Sequence, residues 1–410
     1  MQQQSVEFNP FSQAFQIDPY PIYHQLRSIS PIHRIQSFSV DQWYITRYQD
    51  VQTILNDPRF TVDDLPHRLE AKASHLKQQG DFNHLIQTIH HWLFFLEPPH
   101  HTRLRSLLSR SFSAAKVEQL RPQIQVIVDR LLDHFTPGTP VDVMAQLAAP
   151  LPTLVSAELL GIPSSKQATL TQWGSILFRV FNRPLSLQDY QLINQVALEF
   201  KEYLQEVVST LRKSPQTSLI SQLIVLRDEE NRLSEDELLA LIGMLFSVGQ
   251  ETTENLIGNG IFALISHPQQ LQTLQQHPAL IQSAVEELLR YDSPVQILSR
   301  TAIADVELDG TTLRRGDKIN LLLGAANRDP ARFPVPDQLD IRRGEHSKLP
   351  FGSGIHYCLG SELARVQGQI AIHTLVQRFP KLTVEVDRVE RRKTIVLRGF
   401  KVLPITVTVP

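Results

Sequence analysis

The sequence predicts a mainly α-helical protein with a smaller β portion, and three observations carry that prediction. From about residue 98 to 294, apolar residues recur at spacings of three and four, as in Leu104, Leu107 and Leu108, then Ile124, Val126, Ile127 and Leu131. Around 30–60, 295–325 and 380–410 the texture changes to short strand-like runs, broken by Asp309-Gly310 and Arg315-Gly316-Asp317, which read as hairpin turns. One helix of unusual length, from Glu235 to about Ser266, dominates the helical part. Length alone suggests two or three domains, but the 26 Pro and 17 Gly are spread along the chain, no low-complexity linker divides it, and no solenoid-length repeat occurs.

Taken in order, Pro21 to Ile29 is a short helical candidate and Gln42-Trp43-Tyr44-Ile45-Thr46 is strand-like. Asp50 to Leu55 gives another helical turn before Pro58. Pro268 and Pro278 fall where helices begin, because the first amide of a helix has no partner to lose. A last long helix runs from Ser361 to Phe379, followed by strands at Thr394 to Leu397 and Pro404 to Val407.

The long helix is marked at both ends. Ser234 with Glu237 forms a capping box, and His267-Pro268 is the stop. Roughly 32 residues span about 48 Å, enough to cross the whole protein. Leu238, Leu241, Ile242, Leu245 and Phe246 make it a buried element, yet Gly249-Gln250-Glu251-Thr252-Thr253 places polar groups in its middle. Two readings fit those residues. Thr252 or Thr253 bonds back to a carbonyl one turn earlier, or a carboxylate beside a hydroxyl marks the way protons enter an active site.

Composition excludes several function classes. With 40 Lys+Arg against 42 Asp+Glu the formal charge is −2, which offers no global attraction for nucleic acid or an anionic membrane. The longest apolar run, Leu238 to Gly249, is too short for a membrane span, and Met1 to Pro10 has no signal-peptide pattern. The expected location is cytoplasmic. There is 1 cysteine, Cys358, so neither an internal disulfide nor a zinc site of several thiolates is possible.

Cys358 sits in Phe351-Gly-Ser-Gly-Ile-His-Tyr-Cys-Leu-Gly360, just before the helix starting near Ser361. Glycines permit tight turns and close backbone approach, and a helix N-terminus favours a thiolate. The chemistry allows a catalytic nucleophile, with His356 as its base, or a single axial thiolate to haem iron.

This segment resembles the haem-binding loop of the cytochrome P450 family, Phe-Gly-x-Gly-x-His-x-Cys-x-Gly, at every fixed position. The resemblance extends along the chain through Asp18-Pro-Tyr-Pro, Asp57-Pro-Arg-Phe60, Glu97-Pro-Pro-His-His-Thr-Arg-Leu-Arg105, Ala326-Asn-Arg-Asp-Pro330 and Arg398-Gly399 with Leu403-Pro404, all similar to the soluble bacterial-type branch. Glu-x-x-Arg occurs five times, at Glu118, Glu229, Glu287, Glu362 and Glu385. Only Glu287 to Arg290 has the context the family requires, where the resemblance implies a buried ion pair with Arg343 as third partner.

The resemblance implies a cytochrome P450 fold in a single domain, residues 1–410, with its long central helix over haem b (iron protoporphyrin IX). Cys358 would be the iron ligand, His101, Arg105, Arg300 and His356 would hold the propionates, and Gly249, Phe351 and Gly360 would border the cofactor. Glu251 and Thr252 match the acid–alcohol pair that relays protons and steadies the oxygen being activated. Val248 departs from the family's Ala or Gly and narrows the space beside them. The implied activity is insertion of one oxygen atom from dioxygen into a lipophilic substrate. Electrons would come from a separate ferredoxin-type partner with its reductase, for which Arg103, Arg110 and Lys116 form a candidate basic dock. Desaturation, coupling or peroxide-driven oxidation on the same fold is the alternative, and a non-enzymatic haem sensor a remote one. Leu245, Val248, Val295, Ile297 and Phe400 are pocket candidates, with a lid from the loop Asp63 to Gly80 and the helices between Lys166 and Lys213.

Overall fold

The computed structural model describes residues 6, 8–36, 41–62, 65–75, 82–163, 166–181, 185–230, 232–344 and 349–408, with only the backbone described at 72–75 and 167. Its centre is the helix Glu235–Ser266, capped as the sequence predicts. Ser234 Oγ accepts from the Glu237 amide at 3.1 Å, and the Glu237 carboxylate accepts from the Ser234 amide at 2.9 Å. Helices Pro150–Leu160, Gln167–Phe178, Leu187–Lys213, Ile281–Tyr291 and Ser361–Arg378 pack round it. Almost every residue from Leu238 to Leu264 is therefore buried. Phe262 apart, four partly open positions, Leu245, Val248, Gly249 and Thr252, interrupt that burial. Their three-and-four spacing puts them on one face.

The main sheet builds hydrophobic clusters of its own beside this helical core, whereas the tail strands pack into it. Strands β1 (Ile32–Ile35), β2 (Gln42–Ile45), β3 (Phe60–Val62), β4 (Pro140–Asp142), β5 (Ile297–Ala302), β6 (Val306–Leu308), β7 (Thr311–Leu313) and β8 (Lys318–Leu322) precede the last helix. The tail adds β9 (Lys381–Val384), β10 (Glu390–Arg391), β11 (Phe400–Val402) and β12 (Pro404–Thr408). The main sheet has the order β1-β2-β8-β5-β3, antiparallel except where β2 meets β8. Arg300 is held on β5 of that sheet, opposite Ile319 and Val62.

Four expectations need correction. Asp309-Gly310 does turn the β6–β7 hairpin, both residues at positive φ, but Arg315-Gly316-Asp317 hands the chain from that hairpin to β8 in another sheet. The Asp317 carboxylate fixes the turn by accepting from the Arg314 amide and the Trp43 indole, each at 2.8 Å. Thr394 to Leu397 is not a strand: Leu397 makes one isolated bridge to Val295, because the chain turns to carry Arg398 onto buried Asp292. Strand β4 interrupts the span read as helical; three residues are too few to show a period. Residues Leu65–His75 of the expected lid loop form a helix, with Leu65 and Leu69 burying one face; 63, 64 and 76–80 lie outside the described residues.

The ion pair singled out among five Glu-x-x-Arg matches is the buried one. Arg290 donates twice to Glu287, each bond 2.8 Å long, and both side chains are 1% exposed. Arg290 also donates to the carbonyls of Asn327 and Pro336, while Glu287 accepts from Arg343 and from the Asp340 amide. The pairs at Glu118, Glu362 and Glu385 form too, but at sites more open to water. Glu287→Gln is expected to lower unfolding free energy by about 3–5 kcal/mol, because Arg290 loses its buried counter-charge. Glu118→Gln is expected to change it by less than about 1 kcal/mol, since that pair is solvated. Urea unfolding of both variants checks this.

Candidate functional site

The loop carrying Cys358 is folded onto itself by its own backbone. The Cys358 amide donates to the Phe351 carbonyl at 3.0 Å and the Tyr357 amide to the Gly354 carbonyl at 3.1 Å. Gly352 and Gly354 hold φ of 74° and 72°, a region that penalises any side chain. At Gly354 a Cβ would also stand 2.5 Å from the Leu55 carbonyl, so this glycine is required twice over. Gly360, the N-cap of helix Ser361–Arg378, has open space at its Cβ position. Arg365 from that helix lies 4.5 Å over the Phe351 ring and pairs with Glu286, fixing the loop's far side.

The electrostatics of Cys358 differ from a simple helix-terminus expectation. Burial pushes its thiol above the ordinary value, and the Gly360 amide, Arg105 and Arg365 only partly offset this. The residue is nonetheless exposed, so the sulfur is open to an approaching group. A thiol so placed is a weak nucleophile by itself and becomes a thiolate when a metal binds it.

Around it, the structure gathers the other residues the sequence pointed to. His101 and Arg105 share the helix His100–Ser109, and Arg105 donates to the Tyr357 carbonyl next to Cys358. His101 is buried, its ring 4.3 Å from that of His356. Neither of its nitrogens has a hydrogen-bond partner among the described residues, and burial, with His356 and Arg105 nearby, pushes its pKa down to about 4. Among the same residues His356 Nε2 also lacks a hydrogen bond; Glu97 Oε1, at 3.8 Å, is too far to supply one. Arg300 is buried, donates to its own neighbour's carbonyl at Ser299, and is pushed down to about 10 by desolvation against the pull of Glu97. Glu97 itself is held low: burial raises it, but His356, the Val62 amide and Arg300 outweigh that.

Buried imidazoles without partners and a desolvated guanidinium are costly unless something anionic answers them. A single thiol, two imidazoles and two guanidiniums converging from three parts of the chain form a donor set suited to one metal bearing a dianionic organic frame, and haem with its two propionates is such a group. Catalysis by Cys358 as nucleophile with His356 as base does not fit, since the His356 ring lies against that of His101 and its Nε2 has no hydrogen bond to the thiol. On the long helix, Thr252 Oγ1 reaches the Val248 carbonyl at 3.4 Å, a bond long enough to be weak, and Thr252 lies on the open face. Glu251 is buried on another side, 3.4 Å from Arg392. Beside Gly249, a Cβ would meet only Ser156 Oγ, at 3.8 Å.

A family profile described as cytochrome P450 matches residues 29–404. The chain belongs to the cytochrome P450 family. It is 38% identical over 411 residues to the cytochrome P450 monooxygenase PikC of Streptomyces venezuelae, covering 98% of this chain and 94% of the relative. It is likewise 38% identical over 400 residues to the vitamin D(3) 25-hydroxylase of Pseudonocardia autotrophica, covering 97% and 95%. The structure of P450BioI in complex with a fatty-acyl-loaded acyl carrier protein superposes with a TM-score of 0.88 at 35% identity, over 96% of this chain and 99% of that one. This P450 is accordingly a haem monooxygenase, with the mainly helical P450 fold and iron protoporphyrin IX as cofactor. No helix among its described residues is long and apolar enough to cross a membrane.

Sequence reasoning missed Glu97 as the acid between His356 and Arg300, although it stands inside a quoted motif. It also missed Glu254 and Arg392, which flank Glu251. Of the pocket candidates, Leu245, Val248 and Val295 are partly open, whereas Ile297 and Phe400 are closed into the core; Phe400 packs 4.9 Å from Phe262. Of the basic dock, Arg103 is paired with Glu237, and Arg110 and Lys116 are exposed.

Gly354→Ala is expected to destabilise the protein by about 1–3 kcal/mol through the forced φ and the clash with Leu55. Gly344→Ala, at a position with open space and no positive φ, is expected to stay within about 0.5 kcal/mol. Thermal melts of the two variants make the comparison.

Proposed function

We propose that Cys358 ligates the haem iron, that His101, Arg105, Arg300 and His356 hold the propionates, and that Phe351, Gly249 and Gly360 border the ring. The observation that carries this reading is buried His101 ring to ring with half-buried His356, three of their nitrogens lacking partners among the described residues, beside the chain's only cysteine. When bound, haem supplies the iron at which dioxygen is activated. The protein's own share is binding, orientation and proton supply.

Thr252 presents a weakly bonded hydroxyl on the open face of the central helix, free to turn toward a reacting oxygen. Glu251, the residue before it, faces roughly 100° away round the helix, beside a cavity where protons can be exchanged with water. The two together move a proton from outside the site to its inside. Leu245, Val248 and Val295 supply apolar walls, which suit a lipophilic substrate; Val248, bulkier than the family's usual residue, narrows the space next to Thr252. We read residues 1–410 as one domain and place the protein in the cytoplasm. Its electrons come from a separate ferredoxin-type partner with its reductase, and the exposed Arg110 and Lys116 keep a docking role while paired Arg103 does not.

Turnover with isotopically labelled dioxygen tests the reaction: product carrying one labelled oxygen atom is expected, and unlabelled product contradicts it. Thr252→Ala is expected to lower product formed per reductant consumed by a factor on the order of ten or more, with hydrogen peroxide released instead. Replacing His101 by Phe removes a buried hydrogen bond to a charged group, worth about 1.5–3 kcal/mol, so haem should leave roughly ten to a hundred times faster. Transfer of haem to a scavenging apoprotein measures that rate.

A further inference from the structure

The central helix is two-faced in its middle turns. Leu245, Val248, Gly249 and Thr252 form the open face, and Ser247, Gln250, Glu251 and Glu254 repeat the same spacing two residues later, about 200° round the helix. This second stripe is polar, and all of it borders a partly open cavity of about 150 Å³ lined on its other sides by the helix Gln167–Phe178, Ala149 and Arg392. Such a volume holds more than one water molecule. Gln250 Nε2 and Ser247 Oγ, on side chains 6% and 1% exposed, have no hydrogen-bond partner among the described residues. Gly174 brings the neighbouring helix close, since a Cβ there would stand 2.8 Å from Gln250 Oε1.

We propose that Glu254 and Arg392 are positioning residues for Glu251, the three forming a proton-holding unit at the wet end of the path to Thr252. This rests on the proton-relay role given to Glu251 and Thr252 above. Arg392 spans both acids, with Nη2 2.6 Å from Glu254 Oε1 and Nη1 3.4 Å from Glu251 Oε1. Its Nε donates to the Phe400 carbonyl at 3.3 Å, which anchors the guanidinium to the tail strand. Burial lifts Glu254 to about 7; Arg392 pulls it down, and Glu251 and Asp142 push it further up. Burial likewise lifts Glu251, against Arg392 and Arg179. These are the charged groups facing the pair from the tail, from β4 and from the end of helix Gln167–Phe178.

The three charges make Glu251 conditional on Glu254. While Glu254 is neutral, Arg392 is matched by Glu251 alone and holds it as a carboxylate against the cavity. Once Glu254 ionises, Arg392 is committed to it, and a second negative charge beside Glu251 raises that group's proton affinity. During turnover Glu251 then takes a proton from solvent through the cavity water and passes it inward, whereas in the resting protein the carboxyl that titrates is that of Glu254.

The test uses the resting ferric holoenzyme and difference infrared spectroscopy of the protonated carboxyl stretch across neutrality. A buried carboxyl titrating near 7 is expected in the native protein. It should vanish in Glu254→Gln, persist in Glu254→Asp, and move upward in Arg392→Gln. Under turnover, the inflection near neutrality in product formed per reductant consumed should be lost in Glu254→Gln and restored by Glu254→Asp. An infrared titration unchanged in Glu254→Gln, or a coupling profile superimposable on the native one, would overturn the proposal. Because the infrared reading needs no turnover, its failure is distinct from a failure of the relay itself, which unaltered coupling in Thr252→Ala would reveal.

Discussion

One buried carboxylate holds the site in place. Glu287 is enclosed by Arg290, Arg343 and the Asp340 amide, and Arg290 reaches on to the carbonyls of Asn327 and Pro336. Those contacts pin the 327–343 segment to helix Ile281–Tyr291, ahead of the loop that carries Cys358. The same helix packs on Ser361–Arg378, which follows the loop, and Glu286 pairs there with Arg365 over Phe351. The cysteine is therefore clamped from before and behind by neighbours on one helix. The cost of two buried ions is offset only because every oxygen and most nitrogens have partners, so losing one member loosens the whole arrangement.

Against that fixed loop stands a helix that separates two kinds of chemistry. Its apolar stretches pack against the surrounding helices, and its middle turns divide an open face from a polar one that borders a cavity. Glu251 and Thr252 are consecutive, so they straddle the boundary, and a proton crossing the helix has to change sides between them. His101, His356 and Arg300 bring the opposite imbalance, positive capacity held in a dry place without a matching acid beyond Glu97. The protein thus stores unsatisfied polarity at both edges of its proposed reaction space, where haem propionates and cavity water would respectively answer it.

Much of this was legible in the sequence. The capping box at Ser234, the stop at His267-Pro268 and the ten-residue loop around Cys358 specify local geometry by residue type, and the structure follows them. The pairing of Glu287 with Arg343 and the placement of His101 with His356 came from resemblance, since no local rule joins residues so far apart. What stayed hidden was non-local as well. Glu254 is visible three residues beyond Glu251, but nothing in the chain announces that Arg392, from the tail, bridges both. Strand β4 and the irregular 394–397 segment were misread because their form is set by distant partners, β12 and Asp292, rather than by their own pattern.

The central claim is that the chain's only cysteine is the ligand of the haem iron, and the spectrum of the reduced protein under carbon monoxide tests it most directly. A thiolate-ligated haem gives the red-shifted Soret band from which the family takes its name. The account predicts that band in the native protein and its loss in Cys358→Ser, with haem still bound. Persistence of the band in Cys358→Ser would contradict it outright, for no second cysteine exists to replace the first.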